Sequence, residues 1–347
     1  MKTAIIKQHG APNEPGVIMF EERPTPIPNA NQVLVRVRAC GLNHLDTWVR
    51  RGVPGHTFPL PMIPGSDIAG TVEKVGSAVT KFKPGERVIV NPSLSCGHCM
   101  QCDSNRHQLC PQWGLLGETS DGGCCEYIAV EQRQLYHLAP SISFEQAACI
   151  PVAFVTAWQM LVKKAAIQPG QTILIHGAGS GVSVASIQIA KMFGLQVYVT
   201  SSSEEKLSRA KSLGAHRFIN TSKESFRDAV RNLTGKQGVD VVVDHVGEPT
   251  FSDSVRSLKR GGVLVSCGAT AGSRIEIDWK MIFFKNLALM GSTYGSNGDF
   301  WEVLQAFERG KLSAVVETTV KLTDLPKAHE QIESRGVFGK IVVVFPA

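Results

Sequence analysis

The segment TILIHGAGSGVSVASIQIAKMFG (172–194) decides the fold. It opens as a short apolar, β-branched run, passes through the turn GAGSG, and continues with apolar residues at helical spacing up to Gly194. A strand that enters a small-residue turn and leaves as a helix is the first unit of a strand–helix–strand repeat. Such a turn suits an anion, because small residues let the backbone approach it and the first helical N–H groups have no intrahelical partner. Gly177, Gly179, Ser180, Gly181 and Val182 are therefore the candidate pyrophosphate-binding residues. Val182 stands where a strict G-x-G-x-x-G counted from Gly177 has its last glycine, so the spacing alone is weak and the context carries the assignment. A glycine turn needed only for helix–sheet packing is the competing role.

The same texture continues outward. Strands are predicted at QVYVTS (196–201), HRFIN (216–220), VDVVVDHVG (239–247), GVLVSCG (262–268) and LALMGS (287–292). Between them lie the helical patterns EEKLSRAKSLGA, ESFRDAVRNLTG and PTFSDSVRSLKRGG, each closing at or near a glycine. With the first segment, six strands and their helices predict an α/β fold with an open, doubly wound parallel sheet, the Rossmann dinucleotide-binding architecture. An NAD site has Asp or Glu ending the second strand, where it meets the ribose hydroxyls. Here that strand ends in Ser201-Ser202-Ser203. Ser201 and Ser202 can donate to a 2′-phosphate, and Lys206, with Arg209 as a second candidate, can supply the charge. Glu204 and Glu205 also read as acids answering the helix dipole. NADPH is expected over NADH.

The upstream part differs. VLVRVRAC (33–40), IAGTVEKVG (68–76) and RVIVNP (87–92) are short β runs punctuated by Pro- and Gly-marked turns, which predicts an irregular antiparallel barrel. The tail ends in KIVVVF (340–345), a strand expected to return to that first domain. Two domains agree with a length of 347 residues.

Composition excludes several classes. A hydrophobic fraction of 43% with 19% charged residues rules out a disordered, collagen-like or coiled-coil chain. No uninterrupted apolar run is long enough to span a membrane, and the start, MKTAIIKQHG, does not read as a secretory signal. The net charge of +6 is dispersed, without the Lys/Arg stripe that nucleic-acid binding needs. Nine cysteines without a secretory signal read as thiols of a reducing, cytoplasmic compartment rather than a disulfide framework.

Four of them form Cys96-x2-Cys99-x2-Cys102-x7-Cys110. Four thiolates at this spacing complete a tetrahedral zinc and leave no open position, so the metal of the lobe 92–113 is expected to be structural. The lobe is poor in apolar residues, and ligation is expected to supply much of its folding free energy. His98 and His107 are possible competing ligands, and free thiols or an iron–sulfur cluster are the other readings.

Together these features resemble the medium-chain dehydrogenase/reductase superfamily along essentially the whole chain. The resemblance implies a GroES-like β-barrel catalytic domain (1–150 plus 295–347) and a Rossmann domain (151–294). Alcohol dehydrogenases of that family also hold a catalytic zinc through a cysteine, a histidine and a second cysteine. The corresponding positions here are Asn43, Ser66 (in Gly65-Ser66-Asp67) and Val152, and the family's proton-relay positions fall at Leu45 and Trp48. The Asn43-His44-Leu45-Asp46 segment is similar to the Asn-x-x-Asp of zinc-independent quinone oxidoreductases and enone reductases, with His44 in place of the usual Pro.

The implied activity is NADPH-dependent reduction of quinones or α,β-unsaturated carbonyls. Hydride addition to a conjugated C=C builds charge as a delocalised enolate, which a few hydrogen-bond donors can stabilise. Asn43, Asp46 and Asp67 are the candidate catalytic residues. Asn43 would donate its amide to the substrate carbonyl, or else order a turn. Asp46 would orient neighbours such as His44, and Asp67 would be a buried carboxylate at the former metal site or a turn residue. His44, Thr156, Val246, Gly268 and Lys340 match cofactor-contacting positions, His44 and Lys340 at the pyrophosphate and Thr156 at the nicotinamide amide. Trp48, Phe58 and Tyr294 are candidates for the substrate cleft or for core. Competing functions are alcohol oxidation on a metal site rebuilt from His44, Asp46, Asp67 and Cys40, and NADPH binding without turnover. The partner is a small-molecule substrate, and family precedent implies a homodimer or homotetramer.

Overall fold

The computed structural model describes residues 1–346 and divides the chain into two compact units, 1–153 with 296 onward, and 154–295. No helix among the described residues is long and apolar enough to cross a membrane.

Unit 154–295 carries a six-stranded, all-parallel sheet. Across it the strands run Arg217–Asn220, Gln196–Ser201, Thr172–Ile175, Val239–Val243, Leu258–Ser266 and Ala288–Gly291. In chain order this is 3-2-1-4-5-6, the doubly wound arrangement whose switch point lies between the first and fourth strands. The strands are nearly continuous β-branched and aliphatic runs because helices cover both faces: Ile173, Leu174, Val197, Val199, Val242 and Val243 are fully buried. Ser180, Ser203 and Ser225 each cap the following helix by accepting the N–H of the third helical residue (3.1–3.3 Å).

One boundary differs from the sequence reading. LKRGG, assigned to the end of a helix, belongs to the strand Leu258–Ser266, and the helix Glu248–Ser257 stops before it. Leu258 is extended and buried, pairing with Val239, and Gly261, at φ +73°, carries the strand through its irregularity. Burial of one leucine outweighs the helical pattern of the residues before it.

The other unit is built on a seven-stranded sheet centred on Gln32–Gly41. That strand pairs antiparallel with Asp67–Val75, with Tyr127–Glu131 and with the C-terminal strand Lys340–Val344. The sheet is antiparallel except where Val316–Val320 runs parallel to Lys340–Val344. An N-terminal hairpin, Lys2–Ile6 with Ile18–Glu22, packs Ile5, Ile6 and Ile18 into the same core as Val35, Ile68 and Ile341. Gly65, just before Asp67–Val75, sits at φ +98°, and a Cβ there would lie 2.5 Å from Cys40 Sγ and 2.9 Å from Cys124 Sγ. Only glycine fits that turn.

Candidate active site

In the nucleotide-binding unit, Gly177 (φ +64°) turns the chain out of the first strand, and Ser180 caps the helix Gly181–Met192. The helix therefore begins at Gly181 and Val182, whose N–H groups lie in its first turn, where an anion is accepted. Beneath this turn is a buried polar network that the sequence reading did not include. His245 Nε2 lies 2.9 Å from Ser183 Oγ and 3.2 Å from Ser180 Oγ, tying the turn to the end of the fourth strand. His176 bridges Thr200 Oγ1 and Ser254 Oγ, both at 2.9 Å, and Ser254 Oγ donates to Asp244 Oδ2 at 2.6 Å. Asp244 Oδ1 accepts the N–H groups of Val246 (2.9 Å) and Gly247 (3.1 Å). Burial, partly opposed by Asp244, pushes His176 down to about 4, and burial also lowers His245, so both rings are neutral at pH 7. The available signal was polar residues ending two apolar strands, Ile175-His176 and Val243-Asp244-His245, at the switch point.

Of the other cofactor candidates in this unit, Val246 and Gly268 are half-buried at strand ends, and Thr156 is buried on the helix Pro151–Trp158. Ser201 Oγ accepts the N–H of Ser203 at 3.1 Å, and Ser202 is exposed. Glu204, beside them, is bound by Lys223 Nζ at 2.7 Å and Asn220 Nδ2 at 2.6 Å.

In the other unit, three of the proposed residues converge with a fourth. Asn43 precedes the helix His44–Arg51, and its backbone N–H donates to Asp46 Oδ2 at 2.6 Å. Asp46 Oδ1 accepts the N–H of Gly65 at 2.9 Å. Burial raises the Asp46 carboxyl to about 6, against the lowering effect of these two N–H groups and of Lys340. Asp46 thus joins two backbone segments, whereas His44 makes an edge-to-face contact with Trp48 at 5.8 Å.

Asp67 is fully buried. Its Oδ1 accepts the Val152 N–H at 2.8 Å, and its Oδ2 receives Asn43 Nδ2 at 3.0 Å and Lys340 Nζ at 2.8 Å. Lys340 Nζ also donates to Asn43 Oδ1 at 2.5 Å. Lys340 thus spends two of its three N–H groups on Asp67 and Asn43. The C-terminal strand pairs Val342 with Gly41, which brings Lys340 level with Asn43. The Asn43 amide N–H groups go to Asp67 and, at 3.5 Å, to Gly41 O. Ser66 Oγ is completely buried and has no hydrogen-bond partner. Phe58 and Tyr294 are buried, and Trp48 is half-buried.

The four lobe cysteines do come together, their sulfurs all within 4.8 Å of one another. Cys96–Cys102, Cys99–Cys102 and Cys96–Cys110 are 3.9, 3.7 and 3.6 Å apart. A tetrahedron with Zn–S bonds of about 2.3 Å has edges of about 3.8 Å, which these three separations match. The N–H groups of Cys96 and Gln112 both donate to Cys110 Sγ at 3.4 Å, as they would to a metal-bound thiolate. Among the described residues this is the one group of three or more His, Cys, Asp or Glu side chains close enough to hold an ion. His107 faces away from it, toward the N–H of Asn297 at 3.3 Å.

Comparison with known proteins agrees with this architecture. Residues 29–140 match the alcohol dehydrogenase GroES-like domain and residues 181–309 match the zinc-binding dehydrogenase domain. The chain is 32% identical over 324 residues to a quinone oxidoreductase of Sus scrofa, covering 92% of this chain and 91% of that one. It is 31% identical over 338 residues to an NAD-dependent alcohol dehydrogenase of Sulfurisphaera tokodaii, covering 94% and 96%. A crystal structure of an NAD-dependent alcohol dehydrogenase superposes with a TM-score of 0.95 at 40% identity, covering all of both chains. With its Rossmann sheet, its GroES-like unit and its four-cysteine lobe, the chain is an oxidoreductase belonging to the medium-chain dehydrogenase/reductase superfamily.

Proposed function

We propose that this oxidoreductase uses NADPH to reduce quinones or α,β-unsaturated carbonyls without a catalytic zinc. The observation that carries this reading is the side-chain set at the three positions where zinc-type relatives place ligands. Asn43, Ser66 and Val152 offer no thiolate and no imidazole, and Asp67 beside them is neutralised by Lys340. Asp46 and Asp67, the carboxylates from which a non-standard site would be rebuilt, have both oxygens engaged by donors. Alcohol oxidation needs a Lewis acid to hold the alkoxide, whereas a delocalised enolate does not.

When bound, the reduced nicotinamide supplies the hydride. The chain's own residues bind the cofactor phosphates at Gly177–Val182, exclude water and hold the substrate oxygen. The absence of an acid at the end of the strand Gln196–Ser201, with Glu204 engaged by Lys223 and Asn220, supports NADPH. An exposed apolar cluster, Trp279, Phe283 and Phe284, borders the edge strand Ala288–Gly291 and supports self-association into a dimer or tetramer.

Zinc analysis combined with a reduction screen tests this reading. One zinc per chain and NADPH oxidation with quinones or enones are expected. Two zincs with alcohol-dependent reduction of the cofactor support the alcohol dehydrogenase reading instead, for which the relatives of that name argue. Cofactor binding with no turnover on any of these substrates leaves a binding protein.

A further inference from the structure

Hydride addition leaves negative charge on the substrate oxygen, and the asparagine expected to meet that charge faces elsewhere. Its two amide hydrogens go to Asp67 Oδ2 and Gly41 O. Two other donors lie next to Asp67 in space or in sequence: Lys340, which it binds, and Ser66, the residue before it. Lys340 is 5% exposed, and its ammonium has three N–H bonds, of which Asn43 Oδ1 and Asp67 Oδ2 take two. Ser66, at the position of the lost histidine ligand, is 0% exposed and its hydroxyl has no partner. Burying a hydroxyl unpaired is costly, so Ser66 has a donor to spare for a group that arrives beside it.

We infer that Lys340 and Ser66 form the oxyanion-binding pair of this enzyme, donating N–H and O–H to the carbonyl oxygen of the substrate as it becomes an enolate. The inference rests on the enone and quinone reading above. In the step, the substrate β-carbon gains a hydride with its electron pair from the dihydronicotinamide, which is left oxidised to the pyridinium. The C=C pair moves to the bond between the α-carbon and the carbonyl carbon, and the carbonyl pair moves onto oxygen. Lys340 stays protonated throughout, and the α-carbon then takes one proton from water. Asp67 is a positioning residue, holding Lys340 in place and charged without touching substrate. Asn43 Oδ1 is the second anchor of the ammonium. The arrangement puts a positive charge against Asn43 and Asp67, at and beside positions matched to the family's zinc ligands.

A test that does not depend on turnover uses 4-nitrophenol as the oxyanion probe, titrated by absorbance in the zinc-loaded protein saturated with NADP⁺. The wild-type complex is expected to lower the phenol pKa by one unit or more, a tenfold or greater preference for the phenolate. Ser66→Ala should lose about threefold of that preference, and Lys340→Met all of it. Lys340→Met leaves Asp67 buried without its cation, so the double variant Asp67→Asn/Lys340→Met, which removes both charges, serves as the stably folded version and should also lose it. NADPH affinity should stay within about twofold in all three.

A probe that titrates in the wild-type complex as it does in water overturns the inference. So does a Lys340 variant that weakens NADPH tenfold while kcat is kept, which would place the ammonium at the pyrophosphate. The two readings fail separately. A lowered phenol pKa without enone or quinone turnover keeps the oxyanion pair and discards the substrate class. Turnover that is untouched in Asp67→Asn/Lys340→Met does the reverse.

Discussion

His329 gives the chain a pH dependence that can be isolated with one substitution. It lies on the helix Leu325–Glu333, fully buried, with Nδ1 accepting from Arg50 Nε at 3.2 Å and Nε2 unpartnered. Arg50, itself buried, also donates to Gly10 O and Glu333 Oε1 and so links the N-terminal segment to two helices. Burial, then the neighbouring Arg50, pushes His329 from 6.5 down to about 3. Its folded pKa is depressed, so the stability it contributes is present above about pH 6.5 and is lost as the pH falls toward 3. At 1.36 kcal/mol per pH unit, moving from pH 7 to pH 5 costs about 2 kcal/mol through this ring alone. His176, held near 4, adds a loss of the same sign and similar size. Asp46, raised to about 6, opposes both, because a buried carboxyl with a raised pKa favours the fold at low pH and disfavours it as the pH rises through 6. The substitution His329→Gln keeps an acceptor for Arg50 Nε and removes the titration, while the other two groups stay common to both proteins. Urea unfolding at pH 7, 6 and 5 should therefore show the variant losing about 2 kcal/mol less than the parent between the two extremes. Curves that run parallel within about 0.5 kcal/mol would show that His329 is not held neutral by the fold.

Three further outcomes are expected. The four-cysteine lobe holds the start of the helix Asn297–Glu308, with Gly298 N–H donating to Asn105 Oδ1 at 3.1 Å and Asn297 N–H to His107 Nδ1 at 3.3 Å. Zinc removal, or Cys102→Ser, should speed hydrogen exchange at those two amides by tenfold or more, and unchanged protection would refute this bracing role. Gly65→Ala should destabilise by about 2 kcal/mol or more, through its positive φ and its overlap with Cys40 and Cys124; a melting temperature within a degree of the parent would contradict it. His245→Phe, which keeps the ring but loses the links to Ser180 and Ser183, should weaken NADPH about tenfold with kcat changed less than threefold. Equal affinity by fluorescence titration would dismiss the histidine as a support of the phosphate turn.

What the sequence made legible follows from the range of the interactions involved. The parallel sheet was readable because burial on both faces makes each strand a local run of Val, Ile and Leu, and the glycine-rich turn sits within one such unit. The four cysteines lie within fifteen residues, so their spacing nearly states their geometry. The start of the strand at Leu258 was missed because LKRGG carries a helical pattern that only pairing with Val239 overrides. The candidate site was half legible. Asn43, Asp46 and Asp67 were proposed through motif positions, yet Asn43 and Asp67 are held by Lys340, 273 residues beyond Asp67 and 297 beyond Asn43. No local pattern announces that the last strand will align with Gly41 in a register that turns a lysine inward. The network of His176, Asp244 and Ser254 was missed for the same reason, since its members come from two strands and a helix.

The proposed exchange of a metal for a lysine is constrained by charge. A zinc held by two thiolates and an imidazole is a neutral assembly, and removing the ion alone would leave two buried negative sulfurs, which the interior does not tolerate. The ligands must therefore go with it, and in the proposed matching their positions hold an amide, a hydroxyl and an aliphatic side chain. Asp67 keeps its charge and is completely buried, so it requires a buried cation in its turn, which Lys340 provides at 2.8 Å. The result is again neutral as a whole but polarised, with carboxylate on one side and ammonium on the other. Zinc at this place would meet the lysine charge and find neither thiolate nor imidazole at the three family ligand positions. On the proposed zinc-free reading the site keeps a fixed positive charge, which suits an enolate oxygen, but lacks the Lewis acidity that an alkoxide needs.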